Sequence, residues 1–205
     1  YYRARWEMFW KEIIADVEGT GPKFDQKAFE KRVREFELAF GEPSHKLKWT
    51  ESDKDAYNTA CKIACELEII DRSSISIVPE PSIVVKTHGN IPLSADAAIF
   101  ASTPELKELI GTFNELNDKY GAKVWKSASN EKKAQLVLYL DSTLEKEAYT
   151  LDSKPFEGKI EIRGGSKHGV WNGPMTILQL TKQNPNQIHG MHIEDSPAFG
   201  YRGAH

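Results

Sequence analysis

KIEIRGGSKHGVWNGPMTILQLTK, residues 159–182, changes its period halfway along. The first part alternates Ile160 and Ile162 with charged neighbours, the two-residue period of a strand with one face on a core, and Gly164 and Gly165 close it. From Ser166 onward Val170, Trp171, Met175, Ile177, Leu178 and Leu180 recur at helical steps, which predicts a helix with an apolar stripe. Gly169 and Gly173 interrupt that stripe, and a glycine inside a helix costs about 1 kcal/mol relative to alanine. Their placement predicts a close approach between the helix backbone and a sheet.

The neighbouring segments supply that sheet. AQLVLYLD (134–141), EAYTLDS (147–153) and KIEIRGG follow one another at strand spacing, and QIHGMHIED (187–195) reads as a last strand. Further upstream, AAIFAS (97–102) is a short strand. ISIVPEPSIVV (75–85) is an extended run whose prolines cannot donate to a ladder, so it is expected at an edge. TPELKELIGTFNELNDKYG (103–121) carries every helix signal: Thr103 as cap, Pro104 in the first turn, a face of Leu106, Leu109, Ile110, Phe113 and Leu116, and Gly121 as stop. The fold class is therefore α+β, a small sheet with two helices on one face, which is the economical way for each element to bury its apolar side.

A three-helix segment precedes this unit. Trp6, Phe9, Trp10, Ile13, Ile14 and Val17 give residues 1–19 one broad apolar face ending at Gly19. A second helix is expected after Pro22, with Asp25 as its cap, Phe29, Val33, Phe36 and Phe40 on one side, and Gly41 and Pro43 closing it. A third begins near Glu51 to Asp55, carries Ala56, Tyr57, Ala60, Ile63, Ala64 and Leu67, and breaks around Asp71 to Ser74. The organisation read from these patterns is a helical segment over 1–72 and an α+β domain over 73–205.

Composition narrows the function. The chain has 205 residues and a net charge of −3 with its basic residues scattered, which gives no positive field to gather nucleic acid. No apolar run is long enough to span a membrane and no leader opens the chain, so Tyr1 is not expected to be the natural start. Cys61 and Cys65 lie one helical turn apart and read as small buried hydrophobes, with a bridge or half a metal site as the other readings. His168, His189, His192 and His205 invite a metal site, yet residues three apart in a strand face opposite ways, so His189 and His192 converge only if a bulge intervenes. Glu194 with Asp195, and Glu145 with Glu147, read as solvated surface carboxylates rather than an acid and base pair. RGGSKHG lacks the lysine placement and spacing of a phosphate loop, and there is no nucleophile elbow. No catalytic, cofactor-binding or metal-ligating residue is assigned, and no cofactor is expected.

The ordered set IVPEPSIVV, IPLSADAAI, EAYTLD, IEIRGG, HGVWNGPMTILQL and IEDSPAFGYRGAH, from about Ser74 to His205, resembles the N-terminal domain of the family 20 glycoside hydrolases, the β-N-acetylhexosaminidases. In that family this small α+β domain precedes a (β/α)8 barrel, and a stretch like DSPAFGYRG leads into the barrel's first strand. The resemblance implies that this span stops at the threshold of a catalytic barrel. Ala198 stands where the family commonly has Arg, and Arg202 matches the motif's arginine in what reads as a structural role. YYRARWEMFWKEI with FDQKAFEKRVREFELAF, within about Tyr1 to Leu67, resembles the C-terminal helical end of family 89 α-N-acetylglucosaminidases.

Together the resemblances imply a parent polypeptide in which an α-N-acetylglucosaminidase is followed by a β-N-acetylhexosaminidase, and this span covers their junction. The implied function is a non-catalytic accessory domain of a glycosidase acting on terminal N-acetylhexosamine residues of glycans, with the parent's catalytic barrel as partner. Family 20 enzymes use the substrate's own acetamido oxygen as nucleophile, assisted by an Asp and a Glu, and those acids lie in the barrel. A secreted or periplasmic parent is implied by the same resemblance. Two other readings stay open: a carbohydrate-binding module, for which Trp125, Trp171 and Tyr149 must form an exposed platform, and a protein-interaction module docking through the helical third.

Overall fold

The computed structural model describes residues 10–11, 13–19, 27, 31, 51–69 and 76–196. The expected second helix falls almost wholly outside the described residues, as do Ala198, Arg202 and His205. Residues 13–19 are helical, and Ile13 and Val17 are buried, as the periodicity requires. In chain order follow helix α1 (Glu51–Glu66), strands β1 (Glu68–Ile69), β2 (Ile83–Pro92) and β3 (Ala98–Ala101), helix α2 (Pro104–Lys119), strands β4 (Lys126–Ser127), β5 (Leu136–Leu140), β6 (Tyr149–Lys154) and β7 (Lys159–Gly164), helix α3 (Lys167–Gln183), and strand β8 (Gln187–Asp195).

The strands form one eight-stranded sheet in the order β1-β2-β8-β6-β7-β5-β3-β4. Pairing is antiparallel from β1 across to β7 and parallel from β7 across to β4. Parallel neighbours need a crossover, and α2 supplies the one that follows β3. α2 and α3 share one side of the sheet: Leu106 and Phe113 of α2 and Val170 and Ile177 of α3 join a core with Ile99, Leu138, Leu151 and Ile162. The expected α+β layers are thus present.

The start of α2 follows its sequence signal, and α3 is capped in the same way. Thr103 caps α2 by accepting from the Leu106 amide at 3.4 Å, and Ser166 caps α3 by accepting from the Gly169 amide at 3.2 Å. The two glycines of α3 lie where the backbone nears its neighbours, and a Cβ on Gly169 would stand 2.5 Å from the Ala148 carbonyl.

Three expectations need correction. β2 lies one place in from the edge, because the two residues of β1 pair with Thr87 and Lys86; its prolines at 79 and 81 precede the strand. β1 itself follows α1 immediately, before the break expected at Asp71 to Ser74. Ile63 of α1 and Leu67 just beyond it are 43% and 44% exposed, so the buried face is the narrower row of Tyr57, Ala60, Cys61, Ala64 and Cys65.

Candidate functional site

Strand alternation puts the apolar residues of β6, β7 and β8 under the helices, so their polar neighbours collect on the opposite face of the sheet. Asp152 and His192 are direct cross-strand partners, and Asp152 is paired on its other side with Glu161. His192 Nδ1 lies 2.6 Å from Asp152 Oδ1, and its Nε2 lies 2.9 Å from Glu194 Oε1. Burial disfavours the charged imidazole, but the hydrogen bonds and charges of Asp152 and Glu194 outweigh it and raise the His192 pKa.

Beside this trio, Glu161 Oε2 lies 3.0 Å from Lys154 Nζ and 3.1 Å from Arg163 Nη2. Burial pushes the Glu161 carboxyl up, and the two cations more than reverse that, leaving it below its usual value. The Arg163 guanidinium also stacks 4.5 Å from the centre of the Tyr139 ring. Where α1 meets this face, a groove of about 260 Å³ is lined by Lys62 and Glu66 from the helix, Asp152, Lys154 and His192 from the sheet, and Phe156. The arrangement is an ion-paired surface: both His192 nitrogens are engaged, and Glu161 is held ionised.

The residues singled out from sequence disperse. Ile188, Met191 and Ile193 all enter the core, so strict alternation fails in β8 beside the register shift between Lys86 and Asn90, and a three-residue spacing no longer separates His189 from His192. The two rings still do different things, since His189 Nδ1 has no hydrogen-bond partner among the described residues and burial lowers its pKa. Among the described residues no group of three His, Cys, Asp or Glu side chains is placed to hold a metal ion.

Asp195 turns away from Glu194 and accepts from the Ser82 amide at 3.3 Å and its hydroxyl at 3.1 Å. Glu145, Glu147 and His168 are exposed. Cys61 and Cys65 are free, buried thiols. The aromatic platform does not form: Trp125 is 1% and Tyr149 3% exposed, and the Tyr149 hydroxyl lies 2.7 Å from Thr176 Oγ1 inside the core. That removes the carbohydrate-binding reading in the form it took from the sequence. The acidic and basic cluster around Asp152 escaped sequence reading because its members come from three strands; the only local trace is the alternation of charge along residues 159–163.

Comparison with known proteins agrees with the layout of the sheet and helices. Residues 74–196 match the model of glycosyl hydrolase family 20, domain 2, and residues 1–65 match that of the alpha-N-acetylglucosaminidase (NAGLU) C-terminal domain. A beta-hexosaminidase of Vibrio furnissii is 28% identical over 144 residues, covering 67% of this chain and 22% of that protein. A beta-hexosaminidase of Porphyromonas gingivalis is 30% identical over 145 residues, covering 63% of this chain and 18% of that protein. The chain therefore spans about a fifth of the length of these curated relatives. In fold it is similar to the GH20 exo beta-N-acetylglucosaminidase of Vibrio harveyi, with a TM-score of 0.53 at 22% identity over 65% of this chain and 22% of that one. The Flavobacterium johnsoniae chitobiase gives a TM-score of 0.52 at 23% identity over 66% of this chain and 23% of that one. With more than half of its length matched by that family's domain 2, the chain belongs to glycosyl hydrolase family 20.

Proposed function

We propose that this span is a non-catalytic accessory region of a β-N-acetylhexosaminidase, preceded by the helical end of an α-N-acetylglucosaminidase and divided near residues 72 and 73. The observation that carries the reading is the match of residues 74–196 to domain 2 of the family, over a fold whose polar face is paired off in ion pairs rather than poised for proton transfer. A general acid needs a carboxyl that holds its proton near neutral pH, and Glu161 is shifted the opposite way. The parent's substrate in this reading is a glycan with terminal N-acetylhexosamine, and the parent works outside the cytoplasm.

The catalytic barrel is the partner this reading requires. Trp171, Met175 and Leu178 of α3 are partly buried at the margin of the core, and they offer apolar surface on the helical side for it. The test is hydrolysis of an aryl N-acetyl-β-glucosaminide. This span is expected to release no more product than a boiled sample, and a polypeptide continuing through the barrel is expected to turn over. Turnover by this span itself overturns the proposal.

A further inference from the structure

The ladder between β2 and β8 shifts register between Lys86 and Asn90, and Gly89 sits within the shift at φ 95°. A bulge turns backbone groups out of the ladder and leaves them in need of partners. Here the partner comes from 71 residues away: Glu18, near the end of the helix over 13–19, accepts the Gly89 amide at 3.2 Å through Oε1, and the same oxygen lies 2.9 Å from His88 Nδ1. The contact is reciprocal. Asn90, only 5% exposed, donates its side-chain amide to the Glu18 backbone carbonyl at 2.7 Å and to Oε2 at 3.3 Å. Asn90 thus ties the backbone of the helical segment, as well as the Glu18 carboxylate, to the sheet.

The same bulge is closed from a second side. A Cβ on Gly89 would stand 3.1 Å from Cys65 Sγ of α1 and 2.8 Å from Pro155 Cβ, so helix, bulge and the turn after β6 meet with no spare volume. The helix over 13–19 is in turn joined to α1 by Ile13 and Val17 packing on Tyr57 and Cys61, and by a hydrogen bond from the Tyr57 hydroxyl to Asp16. β1 adds a third tie by pairing with β2.

We infer that Glu18 is a clamp on the Gly89 bulge that fastens the helical segment to the sheet as one rigid body, so that the modules attached on either side hold a fixed mutual orientation. The rigidity concerns this chain alone; its consequence for two glycosidase modules rests on the function proposed above. A fixed angle suits a substrate that presents α- and β-linked N-acetylhexosamine ends on one glycan, since the two sites then meet it in one geometry.

Residual dipolar couplings of the whole chain test the clamp. Amides of 13–19 and 51–66 are expected to fit the same alignment tensor as amides of β2, β6, β7 and β8, and distinct tensors overturn the inference. Glu18→Ala is expected to split the tensors and to speed exchange of the Gly89 amide about tenfold, while the Ile162 amide stays protected and reports that the sheet is folded. Glu18→Gln, which keeps an acceptor for Gly89, is expected to retain one tensor, and Asn90→Ala, which removes both bonds from Asn90 but leaves Glu18 on the Gly89 amide, to loosen it. A single tensor in both Glu18→Ala and Asn90→Ala assigns the rigidity to β1 and the packing of α1 on Gly89 instead and overturns the clamp. These couplings need no substrate, so they stand or fall separately from the hydrolysis assay.

Discussion

Gly173 of α3 lies so close over Ile162 of β7 that a Cβ placed on it would stand 2.4 Å from Ile162 Cγ2. A methyl group there must push helix and sheet apart or force Ile162 out of its rotamer, and overpacking of that kind costs about 1–3 kcal/mol. Gly173→Ala is expected to lower the urea midpoint accordingly. Gly111, on the exposed side of α2 with nothing within 4 Å of its would-be Cβ, is the control. Gly111→Ala is expected to stabilise by about 0.5–1 kcal/mol, because alanine loses less backbone freedom on folding.

Tyr149→Phe removes one polar atom from the core without changing its shape. The lost bond to Thr176 leaves that hydroxyl with only its 3.4 Å contact to the Asn172 carbonyl. The expected cost is about 1 kcal/mol, read from chemical denaturation. A neutral outcome would mean that the Thr176 side chain turns fully to the helix carbonyl.

The His192 trio predicts a pH dependence. Its pKa is raised in the fold by Asp152 and Glu194 despite burial, so the folded state holds the proton more tightly than the unfolded chain. Stability from this group is complete below the unfolded value near 6.5 and is lost as pH rises through the folded value. The stability gap between the native chain and His192→Gln is expected to be wide at about pH 6 and to narrow by about pH 9. A gap that widens with pH refutes the pairing.

The two thiols should be inert in the fold. Burial is the main cause that pushes Cys61 up to about 11 and Cys65 up to about 12, from 9.0. Both thiols therefore hold at least about a hundredfold less thiolate at mildly alkaline pH than exposed ones. Labelling with a disulfide reagent is expected to be at least about a hundredfold slower in the native chain than in denaturant, apart from the further shielding by Tyr57 and Ala60. Fast native labelling would show that α1 leaves the sheet.

How much of this was legible follows the range of the forces involved. Thr103, Gly121 and the period of Ile160 and Ile162 are local signals, and the elements they mark stand where they indicate. β4 and β1 escaped because two residues carry no period, and only their pairing with Ala98 and Ile99 of β3 and with Thr87 and Lys86 of β2 makes them strands. The ion pairs of Glu161 and the grip of Glu18 on Gly89 depend on pairings between distant segments, and no spacing in the chain encodes those. Trp125 and Tyr149, which on sequence could stack on a sugar, were decided by burial alone.

The sheet's two outermost strands are each two residues long, Glu68–Ile69 on one side and Lys126–Ser127 on the other. Short, charged borders offer an incoming chain few free amides and carbonyls to grow upon. Trimming the polypeptide to begin at the family 20 boundary would strip the first of these borders and bare Lys86 and Thr87 of β2. The helical segment's last contribution is thus protective: it denies polymerisation a template.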